Sequence, residues 1–258
     1  MNLPHTIEGS DACSSSRLQS FDTVVPDGIL CYNSIGKKRK NRESYPADEG
    51  GGRAMAANRE GSGALADIKR NLREAMGQRC AEMKDAYCRA ADESIRSAVL
   101  LSDAYRAAES LFVYVSMPGE PDTRGILAAA LWAGKRVYVP KCMARPVMLA
   151  ARISDVNELA PGAMSIPEPL RWEETAAPGE IDLILAPCVA ASRRGARLGH
   201  GGGYYDAFLR GCRSVKACLC YEWMLTEDIP MSAQDVWMDA VVTEKGWTRC
   251  ASGNESLR

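Results

Sequence analysis

The chain has only two histidines, His5 and His200, and none of its ten cysteines stands in a C-x-x-C pair. A zinc centre needs Cys and His ligands at short recurring spacings, and that pattern is missing. The thiols are therefore read as small, buried or partly buried groups kept reduced. No run approaches the roughly 18–20 apolar residues that a helix needs to cross a bilayer, so no membrane partner is expected. The opening MNLPHTIEGSDACSSS lacks the basic-then-apolar order of a secretory signal, and Glu8, Asp11, Asp22 and Asp27 run against a transit peptide. The expected location is cytoplasmic. An excess of one charge is absent too: Lys plus Arg number 32 against 33 for Asp plus Glu. Nucleic acid is then not an expected partner, and any anion site must come from local clustering.

What is present sorts into three stretches. Residues 1–62 carry serine, glycine and charge with little periodic apolar content. Such a segment cannot bury enough surface to offset the entropy of ordering, and it is expected to be a disordered extension. Its Lys37-Lys38-Arg39-Lys40 run suits a nuclear address or a polyanion contact, but a solvated charge run is the simpler reading. From residue 63 to 250 apolar periodicity becomes regular. Leu65, Ile68, Leu72, Met76, Cys80 and Met83 recur at three- and four-residue steps, which predicts a helix. A second helix is expected over 90–106. LFVYVS (111–116) reads as a buried strand. A helix opened by Asp122 or Thr123 follows, then KRVYVP as a strand stopped by Pro140. Residues 146–153 and 181–190, KACLCY and finally DAVVTEKG (239–246) read as further strands, with YYDAFLRGC as a helix. This alternation predicts an α/β fold, a single layered domain whose largely parallel sheet is flanked by helices and holds its site at the strands' carboxyl ends. Residues 251–258 are expected to be a flexible tail.

The most informative segment is RLGHGGGYYD, Arg197 to Asp206. It follows an apolar strand, DLILAP, and leads into a helix. Glycines let backbone N–H groups approach a ligand, and such a turn can cradle phosphate. Arg194 and Arg197 add positive charge. The segment is neither a Walker loop, which needs Lys-Ser or Lys-Thr, nor G-x-G-x-x-G, because Tyr204 follows the three glycines. Tyrosine beside such a loop suits a planar ring, and Asp206 suits magnesium. A flexible surface loop is the competing reading.

RLGHGGGYYD resembles the signature of the 5-formyltetrahydrofolate cyclo-ligase family, also called methenyltetrahydrofolate synthetases. IKRNLREAM resembles that family's N-terminal basic helix, YVSMPGEPDT its substrate segment, and DAVVTEKG its closing strand. GKRVYVPK and SIPEP fall in the family's order, so the resemblance spans about residues 66–246. It implies ATP binding by Lys69, Arg73, Arg197, Leu198, Gly199, His200, Gly201, Gly202, Gly203, Tyr204 and Tyr205. It implies folate binding by Arg73, Val115, Met117, Glu120, His200, Gly201, Gly202, Gly203 and Tyr204, with Glu120 holding the pterin ring. Magnesium would sit on Asp206 and Asp239, and Arg197 and Lys69 would act in catalysis. Lys69 and Arg73, four apart, share one helix face, where an anion would relieve their repulsion.

The implied reaction transfers the γ-phosphoryl of ATP to the formyl oxygen of 5-formyltetrahydrofolate, after which ring closure gives 5,10-methenyltetrahydrofolate. Such chemistry asks for positioning and charge stabilisation rather than a protein nucleophile. A monomer acting on 5-formyltetrahydrofolate and ATP is expected. The alternative is a member that binds folate or nucleotide without turnover. Departures from the family pattern are Ala191-Ser192 where many members have Phe-Asp, Cys142 and Met164 at positions aromatic in some relatives, and His200 in a variable loop position.

Overall fold

The structure, a computed structural model, describes residues 52–162 and 166–251. The chain begins with helices α1 (Gly52–Ala81), α2 (Asp85–Leu101) and α3 (Asp103–Ala107), strand β1 (Ser110–Val113), helix α4 (Arg124–Trp132) and strands β2 (Arg136–Cys142) and β3 (Met148–Ile153). Short strands β4 (Leu159–Pro161), β5 (Pro167–Pro169) and β6 (Thr175–Ala176) follow, then β7 (Leu183–Ala186), β8 (Ala190–Ala191) and β9 (Arg197–Leu198). Helix α5 (Tyr204–Leu209) and strands β10 (Val215–Leu219), β11 (Ala240–Thr243) and β12 (Gly246–Arg249) complete the order.

The main sheet runs β12-β11-β10-β7-β1-β2-β3-β6. Neighbours from β11 to β2 are parallel, while β12, β3 and β6 join antiparallel at the margins. This is the α/β architecture that the strand–helix alternation predicts. The central strands SLFV and LILA are buried at every position, as parallel strands covered on both faces must be. Each fully buried Leu or Phe there contributes roughly 1.5–3 kcal/mol. Ile95 and Val99 of α2 and Ile126 and Leu127 of α4 enter the same core. From α5, Phe208 stacks on Phe112 with ring centroids 4.7 Å apart.

Several predicted boundaries move. Helix α1 already runs from Gly52, ahead of the apolar periodicity that begins near residue 64. The single helix expected over 90–106 is two helices broken at Ser102. The Ser102 hydroxyl donates to the Val99 carbonyl at 2.7 Å and accepts from the Tyr105 N–H at 3.1 Å, which ends one helix and caps the next. Pro140 does not stop β2, which continues to Cys142. Arg136 donates its N–H toward the β1 side, to the Glu109 carbonyl, and alternation gives Pro140 the same direction. Pairing with β1 ends at Tyr138, just ahead of the missing donor, while β2 goes on pairing with β3 through Pro140 to Cys142. After DAVVT the chain turns and returns as β12, with Val242 opposite Trp247. The expectations for residues 1–51, the KKRK run, Met164 and the tail beyond residue 251 lie outside the described residues.

Candidate active site

Strands β1, β7 and β10 are parallel and end on one side of the sheet, and the segments leaving those ends carry the site. Just past β7, the Pro187 carbonyl accepts from Arg197 Nη1 at 3.2 Å, and Arg197 Nη2 reaches Asp206 Oδ1 at 3.0 Å. Arg197 is 4% exposed, so Asp206 compensates a charge that water does not reach. A side chain at Gly199 would collide with it, since a Cβ there would lie 2.9 Å from Arg197 Nη1. The Arg197 guanidinium lies 5.6 Å from the Tyr205 ring centroid. Arg197 Nε and the Tyr205 hydroxyl are buried without a hydrogen-bond partner among the described residues.

The glycine-rich loop, residues 199–203, is held by its carbonyls. Arg73 Nε donates to the Gly199 carbonyl at 2.7 Å, and Arg145 donates from Nη2 to Gly201 at 2.6 Å and from Nε to Gly202 at 2.7 Å. The backbone N–H groups of His200, Gly201, Gly202 and Gly203 donate to no acceptor among the described residues. Gly201 has φ of +89°, which only glycine adopts freely. A run of unspent N–H donors on a tight turn is a concave anion site. The Tyr204 ring edge lies against this loop, its Cδ2 2.8 Å from where a Cβ on Gly202 would be.

Helix α1 brings Lys69 and Arg73 to the loop. Lys69 Nζ pairs with Asp235 Oδ2 at 2.5 Å, their side chains 13% and 14% exposed. Burial pushes the Arg73 guanidinium pKa down, while Asp235 and Asp206 oppose that change. Burial alone would raise the Asp235 carboxyl, but bonds from Lys69 and Ser232 hold it below the ordinary carboxylate range. Val236, next in sequence, donates its N–H to Asp206 Oδ1 at 3.2 Å. Asp206 and Asp235 thus belong to one locus beside Arg73.

Opposite, the segment after β1 turns through Met117–Asp122. Glu120 is 8% exposed, accepts the Met117 N–H on Oε2 at 2.9 Å, and meets His200 Nε2 through Oε1 at 2.8 Å. Two phenols brace its backbone. The single Tyr221 O–H proton is shared between Asp92 Oδ1 at 2.8 Å and the Glu120 carbonyl at 3.2 Å, and Tyr114 donates to the Pro121 carbonyl at 2.8 Å. Burial, followed by Asp92, pushes the Tyr221 hydroxyl pKa up, so it stays a donor.

The sequence profile described as the 5-formyltetrahydrofolate cyclo-ligase family matches residues 66–244. The chain belongs to the 5-formyltetrahydrofolate cyclo-ligase family. A Caenorhabditis elegans member named "Probable 5-formyltetrahydrofolate cyclo-ligase" is 31% identical over 195 residues, covering 70% of this chain and 95% of the relative. The Escherichia coli 5-formyltetrahydrofolate cyclo-ligase is 31% identical over 147 residues, 54% of this chain and 81% of that protein. Among solved structures, the NMR structure of Aquifex aeolicus 5,10-methenyltetrahydrofolate synthetase superposes with a TM-score of 0.64 at 27% identity, covering 72% of this chain and 94% of that one.

In this cyclo-ligase family member the structure brings together Lys69, Arg73, Glu120, Arg197, residues 199–203, Tyr204, Tyr205 and Asp206. Val115 is 6% exposed within the main core, and Leu198, at 1%, packs in a small cluster with Met76 and Ile229. Met117 is half-buried and supplies the N–H that Glu120 accepts. Asp239 is a correction. Its carboxylate pairs with Lys216 Nζ at 2.8 Å and accepts the Lys216 N–H, at the amino ends of β10 and β11, away from the loop. Asp235, paired with Lys69, stands next to Val236, whose N–H bonds Asp206. The donor set of Asp206 and Asp235 fits magnesium, a hard cation bound through one or two carboxylates together with substrate phosphates. Among the described residues no cluster of three or more His, Cys, Asp or Glu could hold a metal ion. Of the departures, Ser192 is buried in the β8–β9 turn, its hydroxyl accepting the Ala196 N–H at 3.2 Å, and Cys142 ends β2 with its N–H toward Glu168 Oε1. No helix among the described residues is long and apolar enough to cross a membrane.

Proposed function

We propose that the chain converts 5-formyltetrahydrofolate and ATP to 5,10-methenyltetrahydrofolate, ADP and phosphate at this site. One observation carries the reading. The glycine-rich loop touches both Arg73, through the Gly199 carbonyl, and Glu120, through the His200 ring. A phosphate cradle and a buried carboxylate therefore share one loop, as a reaction between a nucleotide and a heterocycle requires.

The roles follow from the chemistry. Glu120 accepts paired hydrogen bonds from a pterin ring N–H and its exocyclic amine. Lys69, Arg73 and the loop N–H groups hold the ATP phosphates in line with the formyl oxygen. That oxygen attacks the γ-phosphorus, the bond to the ADP oxygen breaks, and the formyl carbon becomes electrophilic. N10 then attacks that carbon, the phosphorylated oxygen departs as inorganic phosphate, and the imidazoline ring of the product is closed. Arg197, fixed on Pro187 and Asp206, stabilises charge on the transferring phosphoryl group. Magnesium on Asp206 and Asp235 would neutralise phosphate charge when bound. A cytoplasmic monomer is proposed as well.

Mixing the protein with Mg-ATP and 5-formyltetrahydrofolate should produce methenyl absorbance. Folded protein that binds folate yet gives no absorbance would instead make it a binding member of the family.

A further inference from the structure

We infer that Arg145 is a positioning residue for the nucleotide, setting the direction in which the glycine-rich loop presents its N–H groups. The inference rests on the reading of residues 199–203 as the ATP phosphate cradle. Arg145 lies in the loop joining β2 to β3, 56 and 57 residues from the carbonyls it holds. In a trans peptide the carbonyl and the following N–H share one plane and point opposite ways. The Gly201 carbonyl therefore fixes the Gly202 N–H, and the Gly202 carbonyl fixes the Gly203 N–H. No cis bond occurs there. One guanidinium thus orients two successive donors, with its bonds at 2.6 and 2.7 Å.

Glycine makes such a holder necessary. A stretch with three consecutive glycines samples many orientations, and each peptide plane left free must be ordered when ATP binds. Arg73 does the same for the Gly199 carbonyl, hence the His200 N–H. Arg145 is suited to two carbonyls because its donors form a rigid planar fork, whereas a lysine ammonium is a single point. Its side chain is exposed, so removing it leaves no cavity and no buried partner uncompensated.

The test is calorimetric titration of ATP into the wild-type protein, R145A and R145K without folate, alongside titration of 5-formyltetrahydrofolate. Loss of two fixed donors should weaken ATP binding by R145A about tenfold, equivalent to ~1.4 kcal/mol. R145K, able to hold one carbonyl, should fall between. Folate affinity and melting temperature should stay at the wild-type values. ATP binding by R145A equal to the wild type overturns the inference, as does an equal loss of folate affinity. If the wild type itself fails to bind ATP, the cradle reading falls first, and that result is distinct from the other two.

Discussion

Glu120→Gln isolates the charge of the carboxylate assigned to the pterin. Gln is nearly isosteric, and its carbonyl oxygen can still accept the Met117 N–H that Glu120 Oε2 accepts at 2.9 Å. The turn should therefore keep its shape. What changes is the pair of hydrogen bonds to the substrate, from charge-assisted and matched to neutral and mismatched. That difference is worth about 1–3 kcal/mol, which corresponds to about a 5- to 150-fold rise in the folate KM. The ATP KM should move far less, because Glu120 meets the loop only through the His200 ring, while Lys69 and Arg73 keep their partners. Steady-state assays varying each substrate against saturating levels of the other make the separation. A higher ATP KM with an unchanged folate KM would refute the assignment of Glu120 to the pterin.

Asp235→Asn should raise the magnesium concentration needed for half-maximal rate, whereas Asp239→Asn should leave it unchanged; equal effects would return Asp239 to the site. Tyr221→Phe removes the bonds to Asp92 and the Glu120 carbonyl, and should cost about 1–3 kcal/mol in thermal unfolding while raising the folate KM. An unchanged melt would show that the phenol braces nothing. Asp182 accepts N–H groups from Glu109 and Ser110 and the Ser110 hydroxyl. Burial alone would raise its pKa, but the bonds from Ser110 and Glu109 hold the carboxyl below its ordinary value. Its contribution is therefore full above the unfolded-state value of about 3.9 and lost as pH falls through the lower folded value. Denaturant unfolding should show Asp182→Asn less stable than wild type at neutral pH, with the gap closing in acid; a constant gap would contradict the linkage.

The parts of the site that were legible in the sequence are those written locally. RLGHGGGYYD carries its chemistry in ten consecutive residues, and Lys69 and Arg73 share a face because of helix geometry alone. Glu120 was marked by its segment. Asp235 and Arg145 were not, because each acts through contacts more than fifty residues away: Asp235 with Lys69, and Arg145 with Gly201 and Gly202. No spacing rule relates them to the motif. Asp239 shows a signal that was available. It immediately precedes β11, and a residue at the amino end of a parallel strand faces away from a site built on carboxyl ends. The fold was legible where strands are short apolar runs, while Ser102 and Pro140 show that a polar or imino residue can respectively break or sit inside an element according to its tertiary partners.

The decisive step is the joining of the formyl oxygen of the folate to the γ-phosphorus of ATP at this site. The most direct measurement uses 5-formyltetrahydrofolate carrying heavy oxygen in its formyl group, followed by mass analysis of the inorganic phosphate released. The label should appear in phosphate in proportion to methenyl product. Product formed with unlabelled phosphate would contradict it.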